Sequence, residues 1–216
     1  DILMGANRCL PSPAPRPSLS LHPGDEVALG DNVTLRCHTP RNGVQVIVYK
    51  EGDGNYRWQR DGARDTTEVL VRASTNKIAG RFRCRFETLA PTWATGWSDP
   101  VELVVLADSS FPPPALSLSP RGRVETGADV TISCRSPHGA TFVLHKAGSL
   151  DPVQRVIAGT AATFTLRGVT PADAGTYGCS YRPHENPFVS SHPRAEVTLE
   201  VTTGGPSTPF HTPPPG

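Results

Sequence analysis

The sequence predicts an all-β protein made of two tandem antiparallel β-sandwich domains. Three observations predict this class: an excess of glycine and proline, an internal repeat, and strands in which apolar and polar residues alternate. The 216 residues include 20 glycines and 23 prolines, about a fifth of the chain, where about 12% is usual. Helix-breaking residues at this frequency favour short strands joined by many turns.

The internal repeat is visible when the two halves are aligned on their cysteines. Five blocks recur in the same order, and the pairs are PRPSLSLHP (15–23) with PPALSLSPRG (113–122), LGDNVTLRC (29–37) with TGADVTISC (126–134), VIVYKEG (46–52) with FVLHKAG (142–148), AGRFRC (79–84) with AGTYGC (174–179), and WSDPVELVVL (97–106) with SSHPRAEVTLEV (190–201). The repeat indicates duplication of a unit of about 95 residues.

Alternation of apolar and polar residues predicts the strands of each half in order. The first cysteine ends one alternating strand, turn residues follow, and the second cysteine ends another strand that starts at a glycine. The predicted strands are 33–37, 44–50, 80–84 and 101–105 in the first half, and 130–134, 141–146, 175–179 and 197–201 in the second. Short strands with regular turn signals indicate an antiparallel sandwich in each half.

The five cysteines are Cys9, Cys37, Cys84, Cys134 and Cys179. The separations Cys37–Cys84 and Cys134–Cys179 are nearly equal, which favours one bridge inside each domain. Reduced core thiols and zinc ligands are the alternatives, but the sequence lacks the closely spaced ligand pairs that zinc sites use. Because disulfides persist in oxidising compartments, we expect an extracellular protein. Cys9 is left over, either for a bridge to another chain or in a segment absent from the mature protein.

The alignment also predicts the domain organisation. The parts are an N-terminal segment (1–15), domain 1 (16–106), a linker (107–114), domain 2 (115–202) and the start of a stalk (203–216). Three consecutive prolines stiffen the linker, so we expect a short, semi-rigid elbow. The last part is rich in threonine and proline and has almost nothing apolar to bury, which is typical of an extended stalk or a plain linker.

Composition and motifs exclude several classes of protein. Lys+Arg 21 against Asp+Glu 20 gives a net charge of +1, whereas nucleic-acid binding needs a surplus of basic residues. No apolar run approaches the roughly 20 residues that span a bilayer, so we expect membrane attachment only through a segment outside this chain. No signal peptide opens the sequence, which fits a processed or fragmentary start. Catalytic motifs are missing and the histidines are scattered, so we expect no enzyme, cofactor or metal.

Several motifs resemble those of immunoglobulin-superfamily domains. DAGTYGC at 173–179 resembles the tyrosine-corner motif, with Tyr177 two residues before the cysteine. Domain 1 has Phe82 in that place, and both halves lack the usual strand-C tryptophan, with Tyr49 and His145 nearby instead. VIVYKEG and FVLHKAG resemble the hxLYKEG block of the leukocyte receptor complex family. GWSDPVELVV resembles the WSxPS motif of that family, and PRPSLSLHP resembles its first strand.

This family includes the leukocyte and killer-cell immunoglobulin-like receptors, platelet glycoprotein VI, the osteoclast-associated receptor and the chicken immunoglobulin-like receptors. The resemblance implies two C2-type immunoglobulin-like domains meeting at an elbow on an immune-cell receptor, and structural roles for Tyr177, Asp173 and Trp97. It implies a protein ligand: MHC class I, an immunoglobulin Fc region or collagen. We therefore expect the immunoregulatory ectodomain of a cell-surface receptor. A secreted plasma-type carrier or decoy, and a homophilic adhesion module, are the alternatives.

Candidate ligand-binding residues are aromatic residues and arginines on loops and edges, because these types dominate protein interfaces. In domain 1 they are Tyr56, Trp58 and Arg60 near an edge strand, and Trp93 before the last strand. In domain 2 they are Arg182 and Phe188 in the equivalent loop, which also contains His184. Packing against the sheet edge is the alternative role for Trp58.

Two further surface features have simple interpretations. Arg81, Arg83 and Arg85 alternate along one strand, so they share one face as a basic stripe that meets an acidic partner or merely keeps the sheet soluble. Asn32-Val33-Thr34 is an N-glycosylation sequon, which agrees with a secretory route.

Overall fold

Residues 16–39, 44–62, 65–89, 92–107 and 110–203 are described by a computed structural model, except for the side chains of residues 89, 92 and 93. The chain divides into two units, residues 1–105 and 106–216. The predicted N-terminal segment with Cys9, the predicted stalk beyond residue 203, and the side chain of Trp93 lie outside the described residues. The predicted domain boundaries stay predictions.

Unit 1 is built from two antiparallel sheets. Its strands are β1 (Ser18–His22), β2 (Glu26–Ala28), β3 (Asn32–His38), β4 (Val44–Lys50), β5 (Asp53–Gly62), β6 (Thr66–Arg72), β7 (Gly80–Leu89), β8 (Thr92–Ala94) and β9 (Val101–Leu106). One sheet has the order β1-β3-β6, and the other contains β9-β7-β4-β5, with β2 beside β9 and β8 beside β7. In the first sheet, the strand register places Leu35 of β3 between Leu21 of β1 and Val69 of β6. The apolar faces of the two sheets meet in one core.

Unit 2 repeats this arrangement. Its strands are β10 (Ala115–Ser119), β11 (Arg123–Glu125), β12 (Val130–Arg135), β13 (Ala140–Lys146), β14 (Gln154–Ala158), β15 (Ala161–Leu166), β16 (Gly175–Pro183), β17 (Val189–Ser190) and β18 (Ala195–Thr202). The sheet orders are β10-β12-β15 and β11-β18-β16-β13-β14. The prediction of two tandem immunoglobulin-like sandwiches is confirmed.

One disulfide joins the two sheets of each unit. Cys37 on β3 bonds Cys84 on β7, and Cys134 on β12 bonds Cys179 on β16, across 47 and 45 residues. All four cysteines are completely buried, so each bridge lies inside the apolar core. A cross-link over a loop of this length stabilises the folded state by about 4 kcal/mol on the chain-entropy model.

In both units, a lysine side chain bonds the backbone of the corner that precedes the strand with the second cysteine. Lys50 ends β4, and its Nζ donates a hydrogen bond to the backbone carbonyl of Lys77. Lys146 ends β13, and its Nζ donates to the carbonyl of Ala172 at 2.6 Å. In each case the accepting carbonyl belongs to the 3₁₀ turn before the strand with the second cysteine. The lysine of the repeated block therefore has a structural role.

The glycine that begins β7 or β16 lies beneath this lysine. A Cβ atom on Gly80 would lie 2.6 Å from Cε of Lys50, and one on Gly175 would lie 3.1 Å from Cε of Lys146. The φ angles of the two glycines are +152° and +148°, which side chains rarely adopt. Both the contact and the backbone conformation explain a glycine at this point of the repeat.

The tyrosine corner is present in unit 2. The Tyr177 hydroxyl donates to the backbone carbonyl of Asp173 at 2.6 Å, and the Asp173 carboxylate accepts from the backbone N–H of Thr170 at 2.8 Å. Burial raises the pKa of Tyr177, and the nearby Asp173 carboxylate raises it further. In unit 1, buried Phe82 takes this place without a hydroxyl, so the corner there has the hydrogen bond of Lys50 but not that of a tyrosine.

A second tyrosine on β16 provides a contrast. Tyr181 is completely buried, and its hydroxyl has no hydrogen-bond partner among the described residues. Burial raises the pKa of Tyr181 as well. Because a buried hydroxyl without a partner costs free energy, this group opposes folding while that of Tyr177 supports it.

We expect the substitutions Tyr177→Phe and Tyr181→Phe to change stability differently. Tyr177→Phe should lower the free energy of unfolding by about 1 kcal/mol because a hydrogen bond is lost. Tyr181→Phe should leave it unchanged or raise it. Guanidinium unfolding followed by far-UV circular dichroism measures both, and tryptophan fluorescence, which reports unit 1 alone, serves as the control since all three tryptophans lie there. Equal losses in both variants would contradict the assignment.

Candidate functional site

The outward face of the β9-β7-β4-β5 sheet of unit 1 has a stack of three side chains. The rings of Trp97 and Tyr49 have centroids 4.4 Å apart, and the guanidinium of Arg85 lies 4.4 Å from the centroid of Trp97. Such cation–aromatic contacts contribute about 0.5–1 kcal/mol at exposed sites and more when desolvated. Trp97 therefore ties the segment before β9 to β7 and β4.

Backbone hydrogen bonds next to Trp97 hold the same segment against β7. The Ser98 hydroxyl accepts from the Cys84 N–H at 2.9 Å, and the Ser98 N–H donates to the Cys84 carbonyl at 2.7 Å. In unit 2, Ser191 makes the same two bonds to the backbone of Tyr181, two residues past the second cysteine, both at 2.9 Å. The matching pair in unit 1 is formed by Thr95, which bonds the backbone of Phe86 at 3.2 and 3.0 Å. Hydroxyl side chains thus replace regular strand pairing in this part of both units.

The basic stripe on β7 is not an open cationic surface. Each of its three arginines has an acidic partner on the same face: Arg81 with Glu102 (3.3 Å), Arg83 with Glu51, and Arg85 with Glu87 (3.6 Å). Because these charges are balanced locally, the structure favours the interpretation that the stripe keeps the sheet soluble over docking of an acidic partner.

The candidate residues near the edge of unit 1 lie on β5. The Trp58 ring stacks on buried Phe82 with centroids 6.2 Å apart, and the Tyr56 ring lies 6.2 Å from Trp58. Both rings are half-buried and pack against the core, while Arg60 is exposed. Trp58 therefore packs at the sheet edge, which is the alternative role given for it above. A binding role for Tyr56, Trp58 and Arg60 stays a prediction.

The remaining candidates lie near the β16 loop of unit 2 and on β8. Arg182 is on β16 with 8% of its surface exposed, and Phe188 is half-buried in the following loop. Trp93 lies on β8, opposite Thr88 in the backbone register. Binding roles for Arg182, Phe188 and Trp93 also stay predictions.

A cavity lies at the end of unit 2 where the 136–139 turn and the 184–187 loop meet. It has a volume of about 400 Å³, within the usual range of ligand sites. The lining residues are Phe111, Pro137, His138, Gly139, Pro183, His184, Glu185 and Asn186. Ring faces, an amide and a carboxylate are thus gathered in one concave surface, which we call the unit 2 cavity.

Hydrogen bonds fix the walls of the unit 2 cavity. The His184 N–H donates to the Gly139 carbonyl at 3.1 Å, and Nε2 of His184 lies 3.0 Å from the Ala158 carbonyl. Because a carbonyl only accepts, Nε2 must donate. The Phe111 ring meets the His138 ring edge-on, with centroids 5.8 Å apart. The walls are therefore held in place without a ligand.

The sequence did not single out most residues of this cavity. Phe111 lies in the predicted linker, yet it packs against the core of unit 2. The sequence places His138 among the scattered histidines and His184 in the loop with Arg182 and Phe188, and it does not bring the two histidines together. One signal could have found the cavity: in a sandwich of this topology, the loops that follow β12 and β16 emerge at the same end.

Metal sites and membrane spans are two further classes of feature that a protein chain can contain. Among the described residues, no three His, Cys, Asp or Glu side chains are grouped so that they could hold a metal ion. The same residues include no helix long and apolar enough to cross a bilayer.

The fold and its two inter-sheet disulfides define a protein with tandem immunoglobulin-like domains. No family model matches the chain. The chain is 32% identical to mouse platelet glycoprotein VI over 203 residues, 93% of this chain and 61% of that protein. It is 32% identical to the mouse osteoclast-associated immunoglobulin-like receptor over 197 residues, 88% of this chain and 72% of that protein.

Among solved structures, the human OSCAR ligand-binding domain is 31% identical and matches 87% of this chain and all of that chain, with a TM-score of 0.47. The sequence relatives are receptors rather than enzymes. The chain belongs to the immunoglobulin-superfamily receptors of the leukocyte receptor complex family, and it is an extracellular region of such a protein.

We expect Trp97→Ala to lower the free energy of unfolding of unit 1 by about 2 kcal/mol, because the change removes a half-buried ring and its stack. Arg81→Ala, which removes an exposed ion pair with Glu102 on the same face, should cost less than about 1 kcal/mol. Guanidinium unfolding followed by far-UV circular dichroism gives both values. A wild-type midpoint for Trp97→Ala would show that the stack has no structural role.

We also expect Asn32 to be glycosylated when the chain passes through a eukaryotic secretory pathway. Asn32 begins β3 and is exposed, so the acceptor amide is accessible. Mass spectrometry before and after treatment with an N-glycan amidase should show loss of a glycan and conversion of Asn32 to aspartate. Asn32→Gln should abolish this shift, whereas Asn76→Gln, at an exposed asparagine outside any sequon, should preserve it.

Proposed function

We propose that this chain is the ligand-binding ectodomain of an immunoregulatory receptor on immune cells, and that its ligand is a protein. The observation that supports this most is the similarity to two receptors over about nine tenths of the chain. The chain spans 61% of the length of the glycoprotein VI relative, so signalling and membrane anchoring lie outside this proposal.

The unit 2 cavity is the best-supported contact site for that ligand. It combines the Phe111 ring with the imidazoles of His138 and His184 and the amide of Asn186. Such a lining can stack on a planar or ring-shaped side chain and donate hydrogen bonds to a carbonyl or carboxylate. The outward face of unit 1, in contrast, pairs the charges of its arginine stripe within the chain.

The shape of the cavity supports one of the three ligand classes more than the others. MHC class I or an immunoglobulin Fc region would need a flatter patch, whereas collagen would need a groove lined by aromatic and polar side chains. The unit 2 cavity has aromatic and polar side chains on concave walls, which supports collagen more than the other two.

The test is a surface binding assay of the oxidised protein against a triple-helical collagen peptide, an immunoglobulin Fc fragment and an MHC class I complex. Asn186→Trp would fill the cavity, and we expect it to weaken binding at least tenfold. Asn76→Trp, the same change at an exposed asparagine of unit 1, should bind as the wild type does.

The other outcomes are informative in different ways. Binding that Trp58→Ala weakens and Asn186→Trp does not would move the contact site to β5 of unit 1. No binding to any of the three ligands at micromolar concentration would overturn the proposal as stated and favour the soluble carrier or decoy.

A further inference from the structure

The exposed apolar side chains of the described residues are concentrated on one hairpin of unit 2. Four large hydrophobic residues are strongly exposed, and three of them belong to the β13–β14 hairpin: Leu150, Val153 and Ile157. Leu150 is fully exposed in the turn, and Ile157 is 80% exposed on β14. Clustered exposed hydrophobic residues mark interaction sites, whereas single ones do not.

This hairpin also forms an open sheet edge. β14 is the last strand in the order β11-β18-β16-β13-β14, and it pairs with β13. No described strand pairs with its other edge. An edge strand presents backbone donors and acceptors on which another strand can form.

The duplication provides an internal comparison. β5 is the equivalent edge strand of unit 1, and it includes Arg57, Arg60 and Asp61. Charges of this kind prevent edge-to-edge pairing. β14 has a single charged residue, Arg155, beside exposed Ile157. One copy of the repeat is thus protected against pairing, and the other is not.

We propose that β14 pairs antiparallel with β14 of a second copy of this chain, so that unit 2 forms a two-fold symmetric homodimer with a sheet continuous across both copies. This goes beyond the proposed function, since it does not depend on which ligand the ectodomain binds. Two-fold dimers use one self-complementary surface on both subunits, which an antiparallel edge strand provides.

Charge and side-chain register favour a second copy as the occupant. A two-fold axis at Val156 places Arg155 opposite Ile157 of the other copy, so no like charges face each other. On the same face Ile157 then lies diagonal to both Ile157 and Val153 of the other copy, within reach of side-chain contact. Val153, Arg155 and Ile157 of the two copies therefore form one continuous surface across the two-fold axis.

A lipid surface is a poorer occupant. Apolar side chains that enter a membrane interface are usually accompanied by a surplus of lysine and arginine. The exposed segment 147–158 has one arginine, Arg155, and one acidic residue, Asp151. The hairpin thus has no electrostatic attraction for anionic lipid, but its charges are compatible with a copy of itself.

The expected dimer is weak. A five-residue strand pair with its flanking side chains buries less than the roughly 1,200 Å² at the lower limit of standard interfaces. Interfaces of standard size range from micromolar to picomolar affinity, so for this smaller contact we expect a dissociation constant of about 1–100 µM in solution.

Sedimentation velocity of the oxidised full chain over about 1–200 µM tests this range. We expect a concentration-dependent monomer–dimer equilibrium. Ile157→Lys places a lysine opposite Arg155 of the other copy and should weaken the dimer at least tenfold. Leu70→Lys is the matched control, because Leu70 is the fourth strongly exposed apolar residue, 69% exposed on β6 of unit 1, and it should dimerise as the wild type does. Thermal unfolding checks that both variants fold.

Amide hydrogen exchange provides the structural readout. Between the lowest and highest concentrations, exchange at residues 154–158 should slow, and exchange on β5 should not. A monomer at every concentration would overturn the proposal. So would association that Ile157→Lys leaves intact, association that Leu70→Lys weakens equally, open-ended oligomers, or a dimer that disappears in Cys9→Ser.

Discussion

The bridge between the two sheets, Cys37–Cys84 in unit 1 and its repeat in unit 2, is the constraint on which the rest of the structure depends. It fixes β7 against β3, and strict alternation along β7 then determines which side chains point inward. Phe82 and Phe86 are completely buried in the core as a result. Arg83 and Arg85 lie between them and face outward, where Glu51 and Glu87 balance their charge. Core packing and surface chemistry thus follow from the same cross-link.

The two units keep the same framework and differ where a partner could touch them. Both have the lysine over the first glycine of the seventh strand, and both have a hydroxyl side chain that bonds the backbone of that strand two residues past its cysteine. They differ at the edge strand, which is charged in β5 and mostly apolar in β14.

The local pattern of apolar, polar and turn residues was sufficient to predict the fold. It was insufficient to predict the surface ion pairs and the unit 2 cavity. Alternation and turn residues predicted β4 at 44–50, which is what the structure contains. The ion pair Arg83–Glu51 depends on strand register, which joins residues far apart in sequence. The unit 2 cavity brings together Phe111, His138 and His184 from three separate segments. Tertiary packing decides such sites, and neither periodicity nor motif spacing encodes it locally.

The positions of Lys50 over Gly80 and of Lys146 over Gly175 have a practical consequence for chemical labelling. The ammonium groups of Lys50 and Lys146 donate to backbone carbonyls of their own unit, so they are poor nucleophiles towards amine-reactive reagents. The third lysine, Lys77, is exposed on the 3₁₀ turn of unit 1. Acylation of side-chain amines, whether by a biotin ester or an activated sensor surface, should therefore attach the molecule through Lys77. A protein immobilised in this way is held by unit 1, and the cavity and open edge of unit 2 remain chemically unmodified.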